Sequence, residues 1–215
     1  MKNTYLFDFD GTLVDSMPCW SQQMINILER YNIDYPDDII KIITPLGNQG
    51  TARYYKEVLG VPISYEEMQR QMDEYAIPKY RDEIEIKEGV KEYLELLKSK
   101  GCSLSVLTAS PHRTLDPCLK RLCIYDLFDN VWSCDDFGTT KSDPEIYLNA
   151  VNRIGCSIED VVFFDDNIGA LKTAKQAGLC IVGVYDASAE DFTDEVKEVS
   201  YRYINSFSEL NGPIE

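Results

Sequence analysis

The chain has 215 residues, with 37 acidic and 21 basic side chains, and its formal net charge is −16. A surface with this much negative charge repels nucleic-acid backbones and acidic lipid head groups unless its basic residues are clustered. The sequence shows no such cluster, so neither nucleic acids nor membranes are expected as partners. Apolar residues make up 44% of the chain and charged residues 27%, which is ordinary globular usage and predicts a packed core.

Short apolar runs rich in β-formers alternate with helical patterns along most of the chain. Such runs predict strands buried on both faces at about 4–9, 104–107, 131–132, 161–164 and 181–184. Apolar residues at helical spacing predict helices at about 90–100, 144–154 and 170–177, each followed by a glycine. This alternation predicts an α/β fold with a Rossmann-like parallel sheet.

One stretch, from 16 to 85, breaks the alternation. It contains no convincing strand, and its patterns predict helices at about 20–31, 37–43, 51–59 and 65–80. We therefore predict an α/β core domain of residues 1–15 and 86–215, with a helical domain of residues 16–85 inserted after the first strand. The residues after Leu210 are expected to be frayed.

The termini and the cysteines bear on location. The N-terminus shows no signal-peptide pattern and no segment is long enough to span a bilayer, so we expect a cytoplasmic protein with no membrane partner. The seven cysteines include no Cys-x-x-Cys pair, which argues against disulfide frameworks and zinc knuckles and favours reduced thiols. His112 is the only histidine, which excludes sites with several imidazole ligands.

Reactive side chains follow the predicted strands, at the edge where open parallel sheets bind their ligands. Four carboxylates, a hydroxyl and an amine are expected to meet there, with the lysine opening the helix after the third strand. These residues are Asp8, Asp10, Thr108, Lys141, Asp165 and Asp166.

Each of these groups also has an ordinary structural interpretation. The stretch 8–12 is typical of a turn, and the acidic pair 165–166 could cap a helix. An EF-hand loop fits poorly, because its twelfth residue would be Cys19. Together, however, the carboxylates would repel one another unless a divalent cation neutralised them. Oxygen ligands without histidine or cysteine favour Mg²⁺, and a nearby lysine and threonine suit a phosphoryl group.

The segments that carry these groups resemble the four motifs of the haloacid dehalogenase superfamily. The matching positions are 8–16, Thr108, Lys141 and 165–166, and the likeness extends in order over nearly the whole chain. It is closest to the phosphatase and β-phosphoglucomutase-like branch, in which a helical cap follows the first motif. The resemblance implies a Mg²⁺-dependent phosphatase, a monomer or small homo-oligomer, acting on a small phosphorylated metabolite such as a sugar phosphate or a phosphoglycolate-like ester.

The resemblance also implies a role for each residue of the site. Asp8 would be the nucleophile that forms an aspartyl phosphate, and Asp10 would act as general acid and then base. The transferring phosphoryl group would contact Thr108, the Ala109 amide and Lys141. The implied Mg²⁺ ligands are Asp8, the main-chain carbonyl of Asp10, and Asp166, with Asp165 at the metal or next to it. Two positions depart from the family pattern: Ala170, where relatives carry Asp or Gly, and Ser142, where Pro is common.

The cap of such enzymes holds the leaving group, which makes several residues of 16–85 candidates for specificity. These are Met17, Trp20, Asn48, Gln49 and Arg53. For Trp20 a packing role within the cap is favoured, and His112 is interpreted as a rim or packing residue.

Three other functions are alternatives to a phosphatase. Phosphomutases of this branch carry a basic cap residue after a glycine and a lysine after the second motif. Here Asn48 and Gln49 follow Gly47, and Ser110 follows Ala109, so a phosphatase is favoured. Arg53 or Arg113 could substitute for these basic residues. A receiver-type phospho-acceptor domain would place its acidic pair on the first strand instead of late in the chain. A non-catalytic relative is disfavoured because all four motifs retain their reactive groups.

Overall fold

The computed structural model describes residues 2–215 apart from the side chain of Pro45. Within these residues six parallel strands form one sheet in the order β3-β2-β1-β4-β5-β6, which confirms the predicted α/β fold. The strands are β1 (Thr4–Phe7), β2 (Ser103–Thr108), β3 (Asn130–Ser133), β4 (Val161–Asp165), β5 (Cys180–Val184) and β6 (Arg202–Ile204).

The helices connect and flank the strands. They are α1 (Met17–Arg30), α2 (Ile39–Ile43), α3 (Gly47–Glu57), α4 (Tyr65–Asp82), α5 (Val90–Ser99), α6 (His112–Arg121), α7 (Glu145–Ile154), α8 (Ile168–Ala177) and α9 (Thr193–Val199). Every helix in the described part of the chain is too short or too polar to cross a membrane.

The chain divides into two compact units. Unit 1 comprises the residues up to Ser16 together with Ile84–Glu215 and contains the sheet; unit 2, Met17–Glu83, contains α1 to α4. The roles of unit 1 as catalytic core and of unit 2 as substrate cap stay predictions.

The centre of unit 1 is apolar because strand β1 is covered on both faces. Its side chains at Tyr5, Leu6 and Phe7 are fully buried. On one face the ring of Phe7 stacks on Phe164 of the neighbouring strand, with centroids 4.9 Å apart. Continuous apolar runs of this kind are typical of strands in parallel sheets, since neither face meets water.

Unit 2 has a separate core in which α1 and α4 pack together. Met24, Tyr55 and Met68 are fully buried there, and the Tyr55 hydroxyl donates a 3.0 Å hydrogen bond to the Met24 carbonyl. The half-buried Trp20 packs against this cluster, in agreement with the packing role predicted for it.

Several element boundaries differ from the prediction by a few residues; helix α1, for example, begins three residues before its predicted start. Strand β1 ends at Phe7, two residues early, because the chain turns so that the amides of Leu13 and Val14 donate to the Phe9 carbonyl. Helix α3 begins at Gly47, four residues before the predicted start.

The C-terminal residues are packed, so the prediction of a frayed tail is wrong. Ile214 is only 3% exposed. Its amide donates to the Tyr5 hydroxyl at 2.8 Å, and its carbonyl accepts from the Lys2 amide at 3.3 Å. The tail therefore covers the amino end of β1.

Candidate active site

Three carboxylates meet where the two central strands end. Strands β1 and β4 are adjacent, with Phe7 level with Phe164, and the Asp8 amide donates to the Phe164 carbonyl at 2.9 Å. This register brings Asp8 beside Asp165, the last residue of β4. Each of Asp8, Asp165 and Asp166 offers an oxygen within 4.8 Å of the others, and all three side chains are buried.

Lys141 lies in the loop before α7, not at the start of that helix as predicted. The helix begins four residues later, at Glu145, whose amide is capped by the Asp143 carboxylate. The Lys141 ammonium nitrogen is 2.7 Å from Asp8 Oδ1 and 2.7 Å from Asp165 Oδ2. The buried Tyr147 hydroxyl, 3.1 Å from the Lys141 carbonyl, holds the loop in place.

Burial and mutual repulsion govern the protonation of these groups. Burial raises the pKa of Asp165 to about 7, the Asp8 charge adds to this, and Lys141 opposes it. Burial also raises the pKa of Asp166 well above its ordinary value, reinforced by the charges of Asp165 and Asp8. For Lys141 burial opposes the charged form, but the two neighbouring carboxylates outweigh it and hold its pKa well above the usual range.

The cluster has the donor set and the charge to accommodate a divalent cation. Three carboxylates and one ammonium leave a formal charge of −2. Asp8 Oδ1 is buried and accepts no hydrogen bond of normal geometry, although Lys141 is close to it. Both oxygens of Asp165 already accept hydrogen bonds, from Lys141 and from the Asn167 amide. Asp8 and Asp166 therefore have more oxygen capacity left for a hard cation such as Mg²⁺.

Asp166 is held from the turn that follows β1. The buried Thr12 hydroxyl donates a 2.9 Å hydrogen bond to Asp166 Oδ1. Gly11, at φ +72°, lies so close that a Cβ there would be 2.7 Å from Asp166 Oδ2. Only glycine combines this backbone conformation with the absence of a side chain.

The side chain of Asp10 is oriented by two hydroxyls. Ser16 Oγ donates to one carboxylate oxygen at 2.7 Å, and Ser110 Oγ donates to the other. The Ser110 amide in turn donates to Thr108 Oγ1 at 3.1 Å. With both oxygens occupied in this way, Asp10 would reach a metal through its main-chain carbonyl, as the family resemblance implies.

The remaining candidates are placed as follows. Thr108 ends β2 and is buried, and Ala109 next to it is exposed. Asn48, Gln49 and Arg53 lie exposed on α3 of unit 2, and their role toward a substrate stays a prediction.

Sequence reasoning missed some side chains that support the site. It gave no role to Ser16, Ser110 or Thr12 as hydrogen-bond donors, although all three lie within or beside the recognised motifs. It also considered the acidic pair 165–166 as a helix cap, whereas Asn167 caps α8 by accepting from the amides of Gly169 and Ala170.

The fold and this cluster place the chain among α/β enzymes whose active site lies at the carboxyl edge of a parallel sheet. Residues 5–184 match the family model of the haloacid dehalogenase-like hydrolases. The chain belongs to this family and is a hydrolase.

Several known proteins are similar along most of their length. The phosphorylated carbohydrates phosphatase of Thermotoga maritima is 30% identical over 174 residues, which is 81% of each chain. Pyrophosphatase PpaX of Halalkalibacterium halodurans is 27% identical over 202 residues, 88% of this chain and 87% of the relative. A crystal structure assigned as a β-phosphoglucomutase from Thermotoga maritima is 28% identical with a TM-score of 0.73, covering 95% of this chain and 94% of that one.

Proposed function

We propose that this protein is a Mg²⁺-dependent phosphatase that hydrolyses a small phosphate monoester through an aspartyl phosphate on Asp8. The observation that carries the proposal is the buried cluster in which Lys141 lies 2.7 Å from both Asp8 and Asp165, with Asp166 alongside. The phosphatase names of the relatives described above support the same reaction.

In the first step an Asp8 oxygen attacks phosphorus in line, and the bond from phosphorus to the ester oxygen breaks. Asp10 gives its proton to that leaving oxygen. The Lys141 ammonium offsets the charge of the phosphoryl oxygens, and the Ala109 amide donates a hydrogen bond to one of them, in the manner of an oxyanion hole. The Ser16 and Ser110 hydroxyls keep the Asp10 carboxyl group in one orientation throughout.

In the second step water hydrolyses the aspartyl phosphate. Asp10, now a carboxylate, takes a proton from that water as its oxygen attacks phosphorus. The bond between phosphorus and the Asp8 oxygen breaks, which regenerates the Asp8 carboxylate and releases inorganic phosphate. The metal would be held by Asp8, Asp166 and the Asp10 carbonyl, with Asp165 mainly fixing Lys141. A bound Mg²⁺ supplies positive charge that offsets the charge of the phosphate.

For the substrate we propose a phosphorylated sugar, because the first relative described above acts on phosphorylated carbohydrates. Exposed polar residues of α3 would then contact the sugar hydroxyls; they are Asn48, Gln49 and Arg53. Pyrophosphate, the substrate in the name of the second relative, is the competing candidate.

Asp8→Asn tests the nucleophile. Release of phosphate from p-nitrophenyl phosphate should require Mg²⁺, stop with EDTA and fall to background in Asp8→Asn. On an alkyl phosphate, whose leaving oxygen needs a proton, Asp10→Asn should lose about 10²–10⁴-fold in rate, the usual size of general acid–base catalysis, while still binding Mg²⁺ in calorimetry.

The matched control is Asp34→Asn, since Asp34 is an exposed aspartate of unit 2 and should leave activity unchanged. Hydrolysis that persists in Asp8→Asn would contradict the nucleophile assignment.

A panel of phosphate esters and pyrophosphate would identify the substrate class. We expect the highest kcat/KM for a sugar phosphate. Conversion of glucose 1-phosphate to glucose 6-phosphate without phosphate release would identify a phosphomutase instead.

A further inference from the structure

Lys87 connects two loops at the carboxyl edge of the sheet, and no step of the proposed reaction uses it. Its side chain is 17% exposed, and the ammonium contacts three oxygens. These are the Gly11 carbonyl at 2.6 Å, the Tyr185 carbonyl at 2.5 Å and Asp186 Oδ2 at 3.1 Å. A lysine ammonium has three N–H donors, so this geometry occupies all of them.

The first of these oxygens lies inside the catalytic turn. Gly11 separates Asp10, the proposed acid and base, from Thr12, which donates to Asp166. Gly11 itself packs against the Asp166 carboxylate, because a Cβ at this position would lie only 2.7 Å from Asp166 Oδ2. A shift of the Gly11 peptide would therefore move Asp10 and loosen Asp166 together.

The backbone around Lys87 is anchored independently of its side chain. The Lys87 amide donates to the Leu13 carbonyl at 3.0 Å, and Val14 pairs with Ile86 in an antiparallel bridge. The Lys87 ammonium connects the loop after β5 to the turn after β1. Replacing the side chain should leave the backbone pairing intact.

Charge pairing with Asp186 does not by itself account for this arrangement. Two of the three Lys87 contacts go to neutral carbonyls, and the other oxygen of Asp186 already accepts from the amide and hydroxyl of Ser188. The contact to Gly11 is thus a separate feature of the lysine.

We propose that Lys87 is a positioning residue, whose ammonium fixes the 10–12 turn against the loop after β5 so that Asp10 is oriented toward the leaving oxygen. This inference deepens the proposed function and rests on it. Lys87 does not touch the reacting atoms; it acts through the Gly11 carbonyl.

The test uses Lys87→Met, which keeps the apolar stem and removes the ammonium. Because this change leaves the buried Asp186 carboxylate without its cation, Lys87→Met/Asp186→Asn is made alongside it. Asp186→Asn alone retains the two carbonyl contacts. Lys98→Met is the matched control, since Lys98 pairs with Asp129 at 2.7 Å beside the amino end of β2.

The first readout compares two substrates by kcat/KM, which reports the steps up to transfer of the phosphoryl group to Asp8. An alkyl phosphate needs a proton from Asp10 on its leaving oxygen, whereas p-nitrophenolate leaves readily without one. The double variant should lose about 10- to 100-fold on the alkyl ester, as expected for a misplaced catalytic group, and clearly less on p-nitrophenyl phosphate. Asp186→Asn and Lys98→Met should keep the wild-type ratio of the two values.

The second readout is amide hydrogen exchange in metal-free protein, which does not depend on activity. The amides of Gly11, Leu13 and Val14 are hydrogen-bonded within the turn and should exchange about tenfold faster in the double variant, with the amides of β4 unchanged.

The outcomes separate this proposal from the proposed function. The role of Lys87 would be overturned if the double variant lost kcat/KM equally on both esters. It would also be overturned if amide exchange were unchanged in the turn or faster throughout the sheet. If Asp8→Asn remained active the proposed function would fail, and the exchange data would still support or overturn the fixing of the turn by Lys87.

Discussion

His112 joins two segments of unit 1 through its imidazole. Nδ1 lies 2.8 Å from Asp116 in α6, and Nε2 lies 2.8 Å from Asp136 in the short 3₁₀ helix after β3. Both nitrogens can donate only when the ring is protonated. The hydrogen bond to Asp116 raises the pKa of His112 above its ordinary value, partial burial opposes this, and Asp136 adds to the rise. The residue is therefore a pH-dependent contact at the edge of the site.

His112→Gln should destabilise the protein more in acid than in alkali. The pKa of His112 is higher in the folded protein than in the unfolded chain, where it is about 6.5. The contribution of the protonated imidazole to the free energy of unfolding is therefore complete below the unfolded pKa and is lost as pH rises through the folded pKa. Urea unfolding at about pH 5.5 and about pH 9 measures the difference. A loss of stability that is the same at both pH values would contradict this account.

The sequence was enough to predict which chemical groups meet at the site, but not the side chains that hold those groups in position. The acidic residues after two apolar runs indicated that Asp8 and Asp165 would meet, because parallel strands end at one edge. Nothing in the sequence distinguished Lys87 from a solvated lysine, since its role depends on the Tyr185–Asp186 loop some hundred residues later. Ser110 was visible beside Thr108, but its contact to Asp10 depends on the tertiary fold.

At the scale of elements, the predictions succeeded where a run was long and apolar. Strands β1, β2, β4 and β5 were located within two residues. Strand β6 was missed because it has three residues, and only Ile204 is fully buried. The tail after Leu210 was wrongly expected to fray because one apolar residue, Ile214, gives no periodicity, although its contacts to Tyr5 and Lys2 pack it on the sheet.

Ile214→Ala tests whether the packed tail contributes to stability. Removing a side chain that is 3% exposed should cost about 2 kcal/mol of unfolding free energy, at the low end for isoleucine truncation because the site is near the chain end. Urea denaturation would measure it, with Glu215→Ala as the exposed control. Equal, small effects of both variants would show that the tail contributes little.

For the whole molecule, the charge of −16 is also reflected at the site. The cluster of three carboxylates and Lys141 keeps a formal charge of −2, and the nearby pair of Lys87 and Asp186 is neutral, so a bound divalent cation would be needed to balance the cluster before an anionic substrate binds. The remaining acidic surplus is distributed over the surface. There it repels itself and opposes the compact state.

Added salt should therefore raise the melting temperature at neutral pH. Going from about 10 mM to about 150 mM NaCl shortens the screening length to roughly 8 Å and weakens the repulsion between surface carboxylates. Calorimetry at the two salt concentrations measures the shift. Near the isoelectric point of about 4.4 the shift should shrink, and a fall in melting temperature with salt at neutral pH would contradict the prediction.

The register of β1 against β4 also limits which insertions and deletions the gene can tolerate. Phe7 is level with Phe164, so Asp8 and Asp165 follow side by side at the strand spacing of about 4.8 Å. Deleting the first residue of β4 would shift the rest of the strand by one place, so that each side chain turns to the other face. Asp166 would then take the position of Asp165 beside Lys141, and Asp165 would take the position of Phe164 in the apolar core. The second aspartate is therefore no spare copy of the first. A frame-preserving deletion here would remove one carboxylate from the cluster at the site and bury it among apolar side chains in a single event.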